Sequence, residues 1–519
     1  MLQVPDLNAG VALPALLLAI WACVLFVIDV LLPKHRKDLT PWLAVAGLGV
    51  SAILNGFTYN ANQAAFTGMF RADAFTGFVN LITLITTFLG IIASYDYNKR
   101  MDIDRGEYYP LLLLVASGIM FMGSAGDLAI VFVALELLSI PLYIMAGFRR
   151  PDLKSEESAM KYFLLGAFST GFLVYGIALV YGATGTTNLE AIFSRVNTGG
   201  ITSPFLLAIG AALILVGLGF KVAAVPFHLW TPDVYQGAPT PVTGFMSVGA
   251  KIGGFAALLR VLTIAVPTLV VGSYNVEPGT TVTLHAVWQD TVVIIAALTM
   301  LLGNFVAIAQ RDIKRLLAYS SIAHAGYILM AVASAGSFQI TADAAGNQTV
   351  SLQFANYAIQ GALVYLLAYG FTNIGAFAVV SAIERVDGKN LDIDGFAGLS
   401  IRRPLLAAAM AIFMLSLTGI PLTAGFIGKY FVFNAAINAG LNGLLLIGVL
   451  TSVVSAFYYL RVIVKMYLEP GEADTADGGP VPFPLQSAVA LCTLGTVVFG
   501  ILPSAVNLAQ SVVTTVALR

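Results

Sequence analysis

Apolar runs of about 20 residues alternate with short polar stretches along most of this chain. That is the length a helix needs to cross a lipid bilayer. Such runs start near residues 11, 40, 73, 110, 128, 159, 204, 240, 290, 317, 354, 404, 441 and 485. The pattern predicts an all-α polytopic membrane protein with about fourteen transmembrane helices. The runs near 110 and 128 are separated only by the turn-forming residues 123–127, Gly-Ser-Ala-Gly-Asp. No basic stretch precedes the first run, so residues 11–32 read as a membrane helix and not as a removed leader.

Basic residues set the expected orientation. One set of loops carries Lys34/Arg36/Lys37, Lys99/Arg100/Arg105, Arg149/Arg150/Lys154, Arg311/Lys314/Arg315 and Arg385/Lys389/Arg402/Arg403. The alternate loops carry little more than Arg71 and Arg195. With fourteen spans, all the basic loops fall on one side and both termini lie outside. The acidic loop after Lys465 departs from this pattern, but acidic residues contribute little to the rule. The loops read as connectors and not as domains.

The runs near 204 and 404 are each interrupted by proline, at Pro226 and Pro421. They lie five spans apart, so equivalent helices would cross the membrane in opposite directions. That is the mark of inverted-topology repeats with broken helices. The expected organisation is three N-terminal helices in 1–109, a first repeat in 110–266, a second in 290–468 and a last helix in 485–510.

Composition narrows the function. Of 519 residues, 58% are hydrophobic and 10% charged, with a mean hydropathy of +0.88. Soluble domains carry roughly 25% charged residues. The net charge of −1 gives no hint of nucleic acid. Cys23 and Cys492 stand far apart, and His35, His228, His285 and His324 have no ligand spacing. No metal, haem or dinucleotide site is expected, which leaves a redox path within this chain without a cofactor.

The chemistry-bearing residues are charges inside the apolar runs. Each costs about 2.5–3.5 kcal/mol on insertion scales, which makes it a functional candidate. Glu136 lies in Ile130-Val-Phe-Val-Ala-Leu-Glu-Leu-Leu-Ser-Ile-Pro141 and needs a cationic partner or a proton. Lys221 precedes the Pro226 break and is its natural partner. Burial favours a neutral amine and a carboxylate favours an ammonium, so a lysine between the two suits a proton relay. Lys251 sits among Gly249, Gly253 and Gly254, and Lys429 follows Pro421, Gly425 and Gly428.

Three further residues are weaker relay candidates. Lys161 starts its span and could equally snorkel to the interface. His228 follows the first break, and His324 sits in the polar patch Ala318-Tyr-Ser-Ser-Ile-Ala-His-Ala-Gly-Tyr327. Neutral histidine can pass a proton between its nitrogens or simply satisfy hydroxyls. Arg260 reads as a snorkelling anchor.

One stretch is highly specific. Pro226-Phe-His-Leu-Trp-Thr-Pro-Asp-Val-Tyr-Gln-Gly-Ala-Pro-Thr-Pro-Val242 resembles the signature of the antiporter-like membrane subunits of respiratory complex I, and its ending is closest to the subunit N branch. Phe220-Lys-Val-Ala-Ala-Val-Pro226, Leu135-Glu-Leu-Leu-Ser-Ile-Pro-Leu-Tyr143 and Ala424-Gly-Phe-Ile-Gly-Lys429 fit the same branch. The resemblance covers about residues 100 to 470. It implies fourteen helices with two inverted five-helix repeats, and proton translocation within an NADH:quinone oxidoreductase. It further implies a glutamate–lysine pair at Glu136 and Lys221, a connecting lysine at Lys251 and a second-channel lysine at Lys429.

NADH, flavin, iron–sulfur clusters and quinone would belong to other subunits of that complex. The partners would be further antiporter-like subunits and the lipid bilayer. Gln236 departs from the acidic residue expected there, which puts a loop contact in doubt. The alternative is a subunit of a multi-subunit cation/proton antiporter, which uses the same fold. A bacterial plasma membrane is the expected location, and a thylakoid or organelle membrane stays open.

Overall fold

The computed structural model describes residues 7–59, 61–265, 281–343, 348–386, 391–471 and 481–502. Long apolar runs, whose backbone groups lipid cannot satisfy, make most of it helical. The N-terminal group is α1 (Leu13–Leu31), α2 (Thr40–Thr58) and α3 (Ala74–Arg100). Then come α4 (Tyr108–Ser124), α5 (Leu128–Ala146), α6 (Leu153–Thr184), a short α7 (Leu189–Asn197), α8 (Pro204–Lys221), α9 (Thr231–Gly237) and α10 (Thr240–Arg260). The next group is α11 (Gln289–Ile308), α12 (Ile313–Ser334), α13 (Gln353–Ile383), α14 (Leu399–Arg402), α15 (Pro404–Thr418), α16 (Ala424–Asn438) and α17 (Asn442–Leu468), with α18 (Phe483–Ile501) last.

Twelve of these helices are long and apolar enough to span a membrane among the described residues, and Tyr108–Ser124 and Pro404–Thr418 are shorter apolar helices. Every expected span thus has its helix. Both interruptions are present. α8 stops at Lys221 and the chain resumes helix at α9, while α15 stops at Thr418 and resumes at α16. Each break has a backbone N–H held by a hydroxyl. Val225 donates to Thr299 Oγ1 at 2.9 Å and Gly425 to Ser416 Oγ at 3.0 Å. Irregular backbone at membrane depth needs such partners, because lipid offers none.

The two sets of helices pack alike: α4 lies on α5 as α11 lies on α12, and α6 on α8 as α13 on α15 and α16. α10, α12 and α13 form the buried centre, while α6, α17 and α18 keep an apolar face outward.

The basic loops meet at one end of the bundle. Lys99 pairs with Asp38, Arg149 with Glu384, Arg315 with Asp233 and Lys465 with Asp394. A backbone bridge joins Asp312 to Asp392. The opposite end carries two features that the helical pattern did not foretell. One is a hairpin of β1 (Gln63–Ala65) and β2 (Phe70–Ala72). The other is an antiparallel sheet of β3 (Thr281–His285), β4 (Ser337–Ala342) and β5 (Gln348–Ser351), in the order β3-β4-β5. Expected connectors there are paired strands, with His285 in β3. Residue 266 and residues 503–510 of the expected units lie outside the described residues, as does Lys389.

Arg260 corrects an expectation. It is 1% exposed and does not snorkel. Its guanidinium grips Asp73 with two hydrogen bonds of 2.6 Å and also donates to Gly123 O and Thr76 Oγ1. The physical reason is that Asp73, the N-cap of α3, offers two carboxylate oxygens in the bidentate geometry arginine matches. Lys314 also leaves the loop to which its position assigned it. It is buried at the start of α12 and donates to Ala238 O at 2.6 Å.

Candidate functional site

The α8 helix carries Lys221 to its C-terminal residue, 2% exposed, beside the break. Its ammonium does not meet a carboxylate. It donates to Ser139 Oγ at 2.8 Å and Tyr162 OH at 3.1 Å. Glu136 lies on α5 one turn before Ser139 and accepts from Thr170 Oγ1 at 2.7 Å. Among the described residues Glu136 and Lys221 form no direct ion pair: Ser139, one turn from Glu136, takes the hydrogen bond, while Glu136 stays close enough for its charge to act on Lys221. The helix continues through Pro141 to Ala146, which keeps Glu136 and Ser139 on one regular turn. Tyr162 is fixed in turn by stacking on Trp230 at 4.6 Å, and Trp230 donates to Phe220 O at 3.0 Å.

α10 brings Lys251 to the centre of the molecule. It approaches α8 so closely that a Cβ at Gly254 would lie 2.6 Å from Val222 Cγ1 and 3.6 Å from Lys221 Cβ. Only glycine permits that approach. Lys251, 1% exposed, donates to Ser321 Oγ on α12 at 2.6 Å.

From there the polar groups continue along α12. Ser320, adjacent in sequence, hydrogen-bonds Tyr459 OH. His324 lies within 3.1 Å of the same Tyr459 hydroxyl through Nε2 and 2.6 Å from Tyr365 OH through Nδ1. One turn further, Tyr327 accepts from Asn304 at 3.2 Å, and Asn304 accepts from Tyr458 at 3.0 Å. The Lys429 ammonium lies 4.9 Å above the Tyr327 ring. Lys429 is 4% exposed and donates to Thr418 O at 2.7 Å, the last residue of α15, and to Ser452 Oγ at 2.8 Å. A small cavity bordered by His324, Tyr369, Thr372, Ser416 and Gly428 joins this region to the second break.

The remaining candidates stand apart. Lys161 is 40% exposed and pairs with Glu157 at 2.7 Å and Asp233 at 2.6 Å. Asp233 also accepts from Arg315 at 2.8 Å, so it ties α6 to α12 through α9. Gln236 fills the doubtful loop position with real bonds, accepting from Arg315 at 3.0 Å and donating to Asp312 at 3.1 Å. His228 is buried in the first break, and its Nδ1 has no hydrogen-bond partner. Among the described residues, no three His, Cys, Asp or Glu side chains gather as a metal site.

The arrangement links Lys251, His324 and Lys429 through polar groups along α12, with Lys221 packed against α10 beside Gly254. Sequence reasoning missed the groups that hold them: Ser139, Tyr162, Ser321, Tyr365, Ser452 and Tyr459. A serine or tyrosine inside an apolar run is common, and only its neighbour across the helix interface makes it informative.

Four matches with known proteins bear on this geometry. The family model for the NADH:quinone oxidoreductase/Mrp antiporter transmembrane region matches residues 125–455. NADH-quinone oxidoreductase subunit N of Trichlorobacter lovleyi is 43% identical over 498 residues, covering 96% of this chain and 95% of that protein. A chain of respiratory complex I from Thermus thermophilus with bound aureothin superposes with a TM-score of 0.74 at 34% identity, covering 95% of this chain and 97% of that one. A chain of the Mrp complex from Dietzia sp. reaches a TM-score of 0.77 over 97% and 96% of the two chains at 20% identity, which speaks for the fold alone.

Proposed function

The chain belongs to the NADH:quinone oxidoreductase/Mrp antiporter family, and from that premise we propose the route its protons take. It is a proton-translocating membrane subunit of an NADH:quinone oxidoreductase, of the subunit N type, and part of a translocase whose redox cofactors reside in other subunits. Its partners are the other membrane subunits of that complex, antiporter-like ones among them. The cation/proton antiporter alternative shares the family model and the fold, but the curated relatives at 42–44% identity are named for subunit N.

In this reading the two five-helix units, 110–266 and 290–468, are half-channels, and Glu136, Lys221, Lys251, His324 and Lys429 relay the proton between them. Lys161 and His228 are secondary. The basic-loop end faces the cytoplasm of a bacterial cell and both termini face outward, by the positive-inside rule.

The observation that carries the proposal is the company the lysines keep. Lys221, Lys251 and Lys429 are each buried, and each ammonium is held by hydroxyl or carbonyl oxygens, with no ion pair to a carboxylate among the described residues. A buried charge kept for structure alone costs several kcal/mol unless it is paired. Neutral oxygens accept from an ammonium, and hydroxyls also donate to a neutral amine, so the same contacts serve both protonation states.

The test is proton uptake by membrane vesicles containing the whole complex with Lys221→Ala, driven by NADH and quinone. Loss of the pH gradient in an assembled complex supports the relay. Normal coupled pumping overturns it.

A further inference from the structure

α10 and α13 share a second line of polar side chains that meets the lysine route only at Lys251. On α10 it runs Thr240, Ser247, Lys251, with Gly244 between the first two. On α13 it runs Tyr369, Asn373, Ser381, ending at Glu384 just beyond the helix, with Phe377 at its middle. Both sets repeat at three or four residues, so each occupies one face of its helix.

The faces meet. The Thr240 hydroxyl bonds the Glu384 carboxylate, and Asn373 donates to Ser247 Oγ. Two buried atoms on this face, Asn373 Oδ1 and Ser381 Oγ, have no hydrogen-bond partner. Tyr369 OH lies beside the Ser247 and Ser321 hydroxyls, and Ser321 is the group that holds Lys251.

The line begins at the basic-loop end. The Glu384 side chain is 1% exposed, and its Oε1 accepts from Arg149 at 3.2 Å. Arg149 is 21% exposed and so separates the carboxylate from water. Tyr97 and Arg100 of α3 and Lys314 of α12 also lie close enough to act on the Glu384 charge. Arg100 donates to the Ser381 carbonyl and Lys314 to the Ala238 carbonyl, which leaves the Glu384 carboxylate to Thr240 and Arg149.

The line is interrupted once. Phe377 stands between Ser381 and Asn373, packed so tightly on α10 that a Cβ at Gly244 would lie 2.8 Å from Phe377 Cβ. Buried polar atoms on both sides of an apolar plug resemble a channel whose constriction closes by excluding water.

We propose that Glu384 loads protons from the basic-loop side for Lys251, and that Phe377 is the gate between them. The inference rests on the relay reading of Lys251 above. The Glu384 carboxylate takes a proton from bulk water beyond Arg149. When Phe377 moves off Gly244, that proton passes along Ser381, Asn373 and Ser247 through intervening water, and a neutral Lys251 amine accepts it. The carboxylate is regenerated and the ammonium carries the charge onward.

The test uses inside-out membrane vesicles containing the whole complex. A pH gradient is imposed by an acid pulse with no NADH present, and its decay is followed with a pH-sensitive dye. Phe377→Ala should speed the decay severalfold over wild type, and adding Glu384→Gln should return it to the wild-type rate. Phe377→Leu replaces Phe377→Ala where subunit content shows failed assembly. With NADH, Glu384→Gln alone should pump severalfold less at an unchanged subunit content, and Glu384→Asp should recover part of the loss.

If Glu384 merely anchors Arg149, Arg149→Met will reproduce its pumping defect and Phe377→Ala will not leak, which overturns the proposal. Wild-type pumping by Glu384→Gln overturns it too. Lys221→Ala run alongside separates the two claims. If it abolishes pumping while Glu384→Gln and Phe377→Ala behave as wild type, only the loading site falls. If Lys221→Ala pumps normally, the relay reading itself falls.

Discussion

Lys221 reaches Ser139, not Glu136: its Nζ lies 2.8 Å from the serine hydroxyl, one turn along α5 from the glutamate. The lysine thus bonds a hydroxyl on the same helix as the glutamate and not the carboxylate itself. A hydroxyl can accept from an ammonium or donate to an amine, whereas a carboxylate only accepts; here the Ser139 hydroxyl accepts from Lys221 and donates to Leu135 O.

Ser139→Ala should consequently weaken pumping even though serine does not hold a charge. The change leaves the buried Lys221 ammonium with Tyr162 as its remaining acceptor. A lost acceptor at a buried donor costs about 1–3 kcal/mol. The complex should assemble, and NADH-driven proton uptake should fall well below wild type. Uptake at the wild-type rate would mean that Ser139 only fills space.

Glu136→Gln and Lys221→Met should be coupled, but through Ser139. The double variant should lose less pumping than the two single losses combined. In a Ser139→Ala background that coupling should shrink. Coupling unchanged in that background would point to a direct influence of one charge on the other.

Lys429→Arg should assemble and pump poorly. The lysine is held at two points, Thr418 O and Ser452 Oγ, above the Tyr327 ring. Arginine carries five donors in a wider fork and hardly gives up its proton. Lys429→Met should fail in the same assay. Full pumping by the arginine variant would assign Lys429 a fixed electrostatic role.

Arg260→Leu should destabilise the protein more than any of the lysine changes. It strands the Asp73 carboxylate inside the bundle, and breaking a buried ion pair costs about 3–5 kcal/mol. Thermal unfolding of the detergent-solubilised complex, or loss of the subunit from membranes, reads this directly. Combining Arg260→Leu with Asp73→Leu should recover much of the loss. Equal stability of Arg260→Leu and wild type would show that the pair contributes nothing.

The sequence by itself determined the membrane class, the positions of the fourteen helical runs, the two breaks and the line of buried charges. These are properties of a run read alone. An apolar stretch of spanning length becomes a helix because the bilayer offers its backbone no other partner. A proline removes a donor wherever it lies, and a charge in such a run is costly whatever its neighbours. Lys221, Lys251 and Lys429 were legible for that reason. The motif from Pro226 to Val242 was legible because its residues are consecutive.

Only the tertiary structure decided what each charge touches. Ser139 and Lys221 are 82 residues apart, Lys251 and Ser321 70, and Thr240 and Glu384 144. No local pattern encodes such distances. Arg260 looked like an interfacial anchor until α3 brought Asp73 to it, and Lys314 looked like a loop charge until α12 buried it. Glu384 gave no signal at all, because a glutamate at the end of an apolar run is ordinary on a solvated surface. It is buried here because α10 and α13 close over it, with Gly244 admitting Phe377, and that closure depends on which helices pack together. Helix formation is local, but the partner of a buried charge is set by packing between segments far apart in the chain.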